Sequence, residues 1–272
     1  MSRISRTIAD LKAQGKKVLI PYLVAGDPAK NLTVGLMHAL VRSGADIIEL
    51  GIPFSDPSSD GAIIQQAAER ALLSGTRLVD VLALVKEFRI KDDKTPIVLM
   101  GYLNPIEIMG YEKFAQSASD AGVDGVLIVD LPAYESEELF KAVRPRQLDT
   151  IFLVAPTTSE DRLAEICRHS SGYIYYVSLK GVTGAAITDK NAIRDKIAHL
   201  RSFSDLPIVV GFGIKDPVSA SEMGAISDGV IVGSALVEKI ATLKAGAEYS
   251  ALELDATVGL IASMREAINN IN

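Results

Sequence analysis

The chain has 272 residues, 48% of them hydrophobic and 23% charged, which supplies a core and excludes disordered, collagen-like and disulfide-rich classes. Its formal net charge of -6 opposes nucleic acid, whose binding needs a basic footprint. The single cysteine, Cys167, forbids an intrachain disulfide and fits a reducing compartment, while no apolar stretch approaches the roughly 20 residues of a membrane span and residues 1–17 lack the apolar core of a signal peptide, so the expected location is the cytoplasm.

Along the chain, Ile4, Ile8 and Leu11 recur at helical spacing and predict a leading amphipathic helix. Eight short β-rich runs follow, at residues 18–23, 46–50, 97–100, 125–129, 150–154, 173–177, 207–210 and 229–232. Each is almost continuously apolar, as in a sheet covered on both faces. Helical stretches such as 32–43, 63–74, 78–88, 111–121 and 136–143 separate them, several ending at Gly or followed by Pro. Eight strand–helix units with no linker or composition shift predict a single-domain (β/α)8 TIM barrel over residues 1–272, its bottom covered by the additional N-terminal helix.

In such a barrel the chemistry sits at the C-terminal ends of the strands. Glu49 ends the second run; pointing inward with Ile47, it would enter an apolar mouth that favours its protonated form, whereas a structural ion pair is the alternative. Asp56 and Asp60 lie in the Pro-rich loop that follows, a setting that suits turn chemistry as well as catalysis. Asp130, after the fourth run, suits loop backbone or substrate equally. Gly211-Phe212-Gly213 after the seventh run and Gly233-Ser234 after the eighth, each leading towards a helix, form a two-loop pattern suited to a phosphate. Residues 178–186 read as a mobile lid or an inert surface loop. His38, His169 and His199 fall in helical stretches without metal-ligand spacing, so no metal is expected, and no strand carries a Lys in its C-terminal half that would suit a Schiff base.

The stretch ELGIPFSDP followed by Asp60-Gly61, NPI at Asn104, DGVLIVDLP, APTT at Ala155, YYVS followed by GVTG, VVGFGI and DGVIVGSALV together resemble the tryptophan synthase alpha chain family, in order from about Pro21 to Val237. The resemblance implies retro-aldol cleavage of indole-3-glycerol phosphate to indole and glyceraldehyde 3-phosphate. It makes Glu49 the principal acid/base and Asp60 the partner of the indole N–H. It places Tyr22, Met100, Leu127, Tyr175 and Phe212 around the indole, Thr183 in a closing loop, and Gly184, Gly213, Gly233 and Ser234 on the phosphate. It further implies a beta-chain partner, in an alpha2beta2 heterotetramer, that holds pyridoxal phosphate, with no cofactor in this chain. The sequence departs from the common family pattern at Ser58-Ser59, Ala62, the 23–26 segment and Leu179-Lys180, none of them a proposed catalytic group. A free-standing indole-glycerol phosphate lyase, another phosphosugar barrel and a non-catalytic regulatory barrel are the rival readings; the last has no physical need for two acids at the mouth.

Overall fold

In the computed structural model of the chain, which describes residues 1–177, 190–211 and 213–271, the apolar runs are parallel strands and the amphipathic stretches are helices. The expected lid at 178–186 lies outside these residues, as do Thr183, Gly184 and Phe212. The strands are β1 (Val18–Val24), β2 (Ile48–Gly51), β3 (Ile97–Gly101), β4 (Gly125–Ile128), β5 (Asp149–Thr150), β6 (Phe152–Val154), β7 (Ile174–Val177), β8 (Ile208–Gly211) and β9 (Gly229–Val232). Their order is β5-β4-β3-β2-β1-β9-β8-β7-β6, with every pairing parallel.

The expected count of eight is corrected to nine at one place. The fifth run divides at Ile151: Asp149 and Thr150 pair with β4, Phe152 to Val154 pair with β7, and Ile151 sends its N–H to Val126. The two ends of the sheet order are therefore one length of chain, and the ring closes through it.

Alternation along the strands builds two layers. Val18, Ile20, Ile47, Val98, Leu127, Ile151, Tyr175, Val209 and Ile231 face one another inside the barrel, while Leu19, Leu23, Ile48, Leu50, Ile97 and Leu99 face the helices. Helix α1 (Arg3–Ala13) adds Ile4 and Ile8 to the inner layer, closing the bottom as its spacing predicts. Its first turn is capped by Ser2, which accepts from the Ser5 N–H at 3.1 Å.

Helix α2 (Lys30–Arg42) follows β1, and two helices, α3 (Ala62–Leu73) and α4 (Leu78–Arg89), stand between β2 and β3. Helix α4 packs against the outer layer through Val81, Val85 and Phe88. Helix α3 instead brings Ala67 and Ala71 against Tyr22, Val24 and Val237, at the C-terminal end of β1. Side chains this small let the helix come close to the mouth. It is fastened there by Arg70, whose guanidinium meets the buried carboxylate of Asp27 at 2.6 and 3.0 Å. Near the C-terminus, Arg265 donates to the carbonyls of Gly44 and Lys17, both at 3.0 Å, and pairs with Asp46, joining the last helix to the starts of β1 and β2. Among the described residues no helix is long and apolar enough to cross a membrane.

Candidate active site

Glu49 faces inward from β2, with Tyr22 of β1 and Val98 of β3 as its register partners. It is fully buried. One carboxylate oxygen accepts a 2.6 Å hydrogen bond from the Tyr173 hydroxyl, and the other, equally buried, has no partner. No Lys or Arg pairs with it among the described residues, which removes the structural ion-pair reading. Burial pushes the carboxyl up to about 7, and donation from Tyr173 opposes part of that rise. Glu49 is thus a carboxyl that exchanges its proton near neutrality, as a general acid/base requires.

Asp60 approaches from the loop after β2. Its carboxylate accepts from the Tyr102 hydroxyl at 3.1 Å, and its carbonyl accepts from the Gln65 amide at 2.8 Å. Burial raises its pKa and the Tyr102 hydrogen bond lowers it. The same Tyr102 oxygen accepts the Ser59 N–H at 3.1 Å, and its ring stacks on Phe54 with centroids 5.3 Å apart. A single tyrosine therefore holds both ends of the segment between Phe54 and Asp60. Asp56 is exposed; its carboxylate accepts the neighbouring Ser55 hydroxyl at 2.6 Å and its carbonyl accepts the Ser58 N–H at 2.8 Å, as a turn residue does. Asp130 accepts the Leu103 N–H at 2.8 Å, at the start of helix Leu103–Met109, so of its two readings loop backbone is the one the geometry gives.

Of the expected indole contacts, Tyr22, Met100, Leu127 and Tyr175 come together around the inner layer and the α3 contact, with Met100 touching both clusters. Tyr22 and Tyr175 are both buried, and their phenols are held well above the ordinary pKa, first by burial and then by the charges of Asp60 and Glu49. The two expected phosphate loops differ in what they offer. After β8, Gly213 takes a left-handed φ of +75°, but the helix beyond it, Pro217–Ile226, is already capped by Asp216, which accepts the Ser219 N–H at 2.8 Å. After β9, Gly233 precedes helix Ser234–Ile240 with no side-chain cap, leaving the N–H groups of Ser234 and Ala235 without an intrahelical acceptor. A Cβ on Gly233 would meet Ile64 at 3.9 Å, an ordinary van der Waals contact.

Two residues at the acids were not identifiable from sequence, Tyr173 and Tyr102. Tyr173 lies one residue before β7, yet its side chain belongs to the inner layer. Tyr102 lies just past β3, a position that hints at the mouth without naming a partner. Among the described residues no group of His, Cys, Asp and Glu forms a metal site.

The fold is a parallel barrel that brings a buried acid, Glu49, and a half-buried one, Asp60, to its strand ends, the architecture of a (β/α)8-barrel enzyme subunit. The family model described as tryptophan synthase alpha chain matches residues 8–268. The tryptophan synthase alpha chain of Marinobacter nauticus is 55% identical over 271 residues, covering 100% of this chain and 99% of that one. That of Thioalkalivibrio sulfidiphilus is 54% identical, covering 99% and 100%. Among solved structures, tryptophan synthase subunit alpha from Legionella pneumophila superposes with a TM-score of 0.90 at 46% identity, covering 100% of each chain. A tryptophan synthase from M. tuberculosis, in an aminoacrylate-bound form, superposes at 0.86 with 34% identity, covering 98% and 100%. The chain belongs to the tryptophan synthase alpha chain family.

Proposed function

We infer that the chain cleaves indole-3-glycerol phosphate to indole and glyceraldehyde 3-phosphate, as a carbon–carbon lyase acting through one domain of 1–272. The observation that carries this beyond family membership is Glu49, a buried inner-face carboxyl whose pKa burial lifts to about 7. In its acid form Glu49 protonates C3 of the indole, which turns the ring into an electron sink. The resulting carboxylate then takes the proton of the hydroxyl beside the ring. That oxygen's electrons form the aldehyde carbonyl while the carbon–carbon bond breaks and its pair returns to the ring, releasing indole. Asp60, ionised, accepts the indole N–H and balances the positive charge that develops on the ring nitrogen. Atoms and electrons close within the substrate, so the step draws on no metal or cofactor.

Tyr22, Met100, Leu127 and Tyr175 form the apolar wall for the ring, to which the family resemblance adds Phe212, with Thr183 near the carboxylates; these last two lie outside the described residues. Gly213, Gly233 and Ser234 receive the phosphate, and the family resemblance adds Gly184, which also lies outside the described residues. A beta chain carrying pyridoxal phosphate docks over the mouth against residues 53–60, in an alpha2beta2 assembly in the cytoplasm. Indole is small and apolar, and direct passage to a second site limits its loss.

The free-standing lyase is the second reading, favoured by one observation: Tyr102 already fixes the Phe54 to Asp60 segment within the isolated chain. One experiment tests both. The purified chain is incubated with indole-3-glycerol phosphate, without serine, and indole fluorescence is followed against a chain that contains no Trp. Indole release accelerated by added beta chain is the expected result. Release at the same rate, with no complex by sedimentation, favours the free-standing lyase, and no release under either condition rejects cleavage.

A further inference from the structure

Four tyrosines surround the two acids, and two of them are committed: Tyr173 donates to Glu49 at 2.6 Å and Tyr102 to Asp60 at 3.1 Å. Among the described residues the hydroxyls of Tyr22 and Tyr175 donate to no side chain and no carbonyl, although both phenols feel the charges of both acids.

These two are seated alike. Gly51 pairs with Val24 and Gly211 with Val177, so on the next strand each glycine stands two positions beyond the tyrosine that leans over it. A Cβ on Gly51 would lie 2.8 Å from Tyr22 Cζ and closer still to its hydroxyl, and a Cβ on Gly211 would overlap the Tyr175 ring. The missing side chain is a notch that fixes where the phenol sits. Tyr22 has a further distinction. Its strand lies between β2, which carries Glu49, and β9, which ends before Gly233. A ligand that reaches from the acids to the Ser234 helix start passes over Tyr22.

The proposed substrate has such a shape. Its three-carbon linker bears two hydroxyls: the one beside the ring gives up its proton to Glu49, and the other leaves unchanged in the product. Entering an apolar wall, that second hydroxyl loses its water and needs a partner. We propose that the Tyr22 hydroxyl, set by the Gly51 notch, is a specificity-determining donor that recognises the non-reacting hydroxyl of the linker. This rests on the lyase reading above. A phenol kept protonated beside two acids is suited to the task, because it stays a neutral donor across the working pH range.

The test is Tyr22→Phe, which keeps the ring in its notch and removes only the oxygen. We expect kcat/KM for indole-3-glycerol phosphate to fall about tenfold, the scale of one neutral hydrogen bond. Affinity for indole-3-propanol phosphate, which has no linker hydroxyl, should be unchanged. Calorimetric titration of both ligands keeps this separate from the lyase reading. If the wild-type chain binds indole-3-glycerol phosphate but releases no indole, the cleavage reading fails, and the ratio of the two affinities in wild type and variant still decides Tyr22. An unchanged ratio overturns the proposal, whether the variant matches wild type on both ligands or loses both alike.

Discussion

The Tyr173 hydroxyl lies 2.6 Å from one oxygen of Glu49, across the barrel from β2, and is the only donor to that carboxylate among the described residues. Donation favours the ionised form, so removing it raises the Glu49 pKa above its value of about 7. In Tyr173→Phe the alkaline limb of the kcat/KM profile, which reports the acid form of the free enzyme, should move to higher pH. A purely structural Tyr173 would lower activity at every pH and leave the limb in place.

The raised pKa also sets how stability changes with pH. Glu49 titrates at about 7 when folded against an ordinary 4.5, so the folded chain holds the proton more tightly between those values. Its contribution is fully present below about pH 4.5 and is lost as pH rises through about 7, a total of about 3 kcal/mol. Urea denaturation of wild type and Glu49→Gln across this range should show wild type losing that stability relative to the variant, because the amide has no proton to lose. The same variant should lose about 10²- to 10⁴-fold in turnover. Parallel stability curves would mean that folding leaves the Glu49 pKa at its ordinary value.

Tyr102 and Asp60 should respond differently to the partner. If Asp60 meets the indole N–H as proposed, Asp60→Asn removes the charge opposite it, and turnover should fall about 10²-fold with or without beta chain. Tyr102→Phe leaves that carboxylate but frees the segment it holds, so the isolated variant should lose a few-fold to about tenfold. Saturating beta chain should restore most of that loss. Indole release rates for both variants, titrated with beta chain, check this; equal restoration in the two would show that Asp60 acts only through loop order.

The three glycines at the strand ends separate fold from ligand. Gly233→Ala adds a methyl that meets only Ile64, in ordinary contact at 3.9 Å, so it should fold normally and weaken binding of a phosphorylated ligand but not of indole. Gly211→Ala drives its Cβ into the Tyr175 ring and should cost about 1–3 kcal/mol of stability as well as activity. Gly213→Val confounds the two, since a β-branched residue at a φ of +75° is strained whatever it binds. Thermal melts beside binding titrations distinguish the three.

Much of the barrel was legible because burial on both faces leaves continuous apolar runs. Helix Tyr111–Ala121 falls on its expected bounds, and β3 extends its expected run by one residue, to Gly101. The division at Ile151 was not legible: an isoleucine within an apolar run carries no sign of which neighbour its backbone will join. Helix Leu103–Met109 was hidden by Asn104-Pro105, which reads as a turn, yet Pro105 sits in the first helical turn, where a missing N–H costs nothing. At the site, Glu49 and Asp60 are candidates on strand-end position and motif, and the structure sets Glu49 inward and ties Asp60 to Tyr102. Tyr173 was not legible, because its bond to Glu49 joins residues 124 apart in sequence and only the closed barrel brings them together.

That closure has a consequence for how the molecule can be cut. Elsewhere around the sheet, neighbouring strands are held by ladders of hydrogen bonds, and a break in a connecting loop leaves the circle whole. Between β5 and β6 the link is covalent, the peptide bonds on either side of Ile151. A circular permutant with new termini in a helical connection should therefore keep a continuous barrel. One opened at Ile151 would have two loose strand edges, ready to pair with those of another molecule.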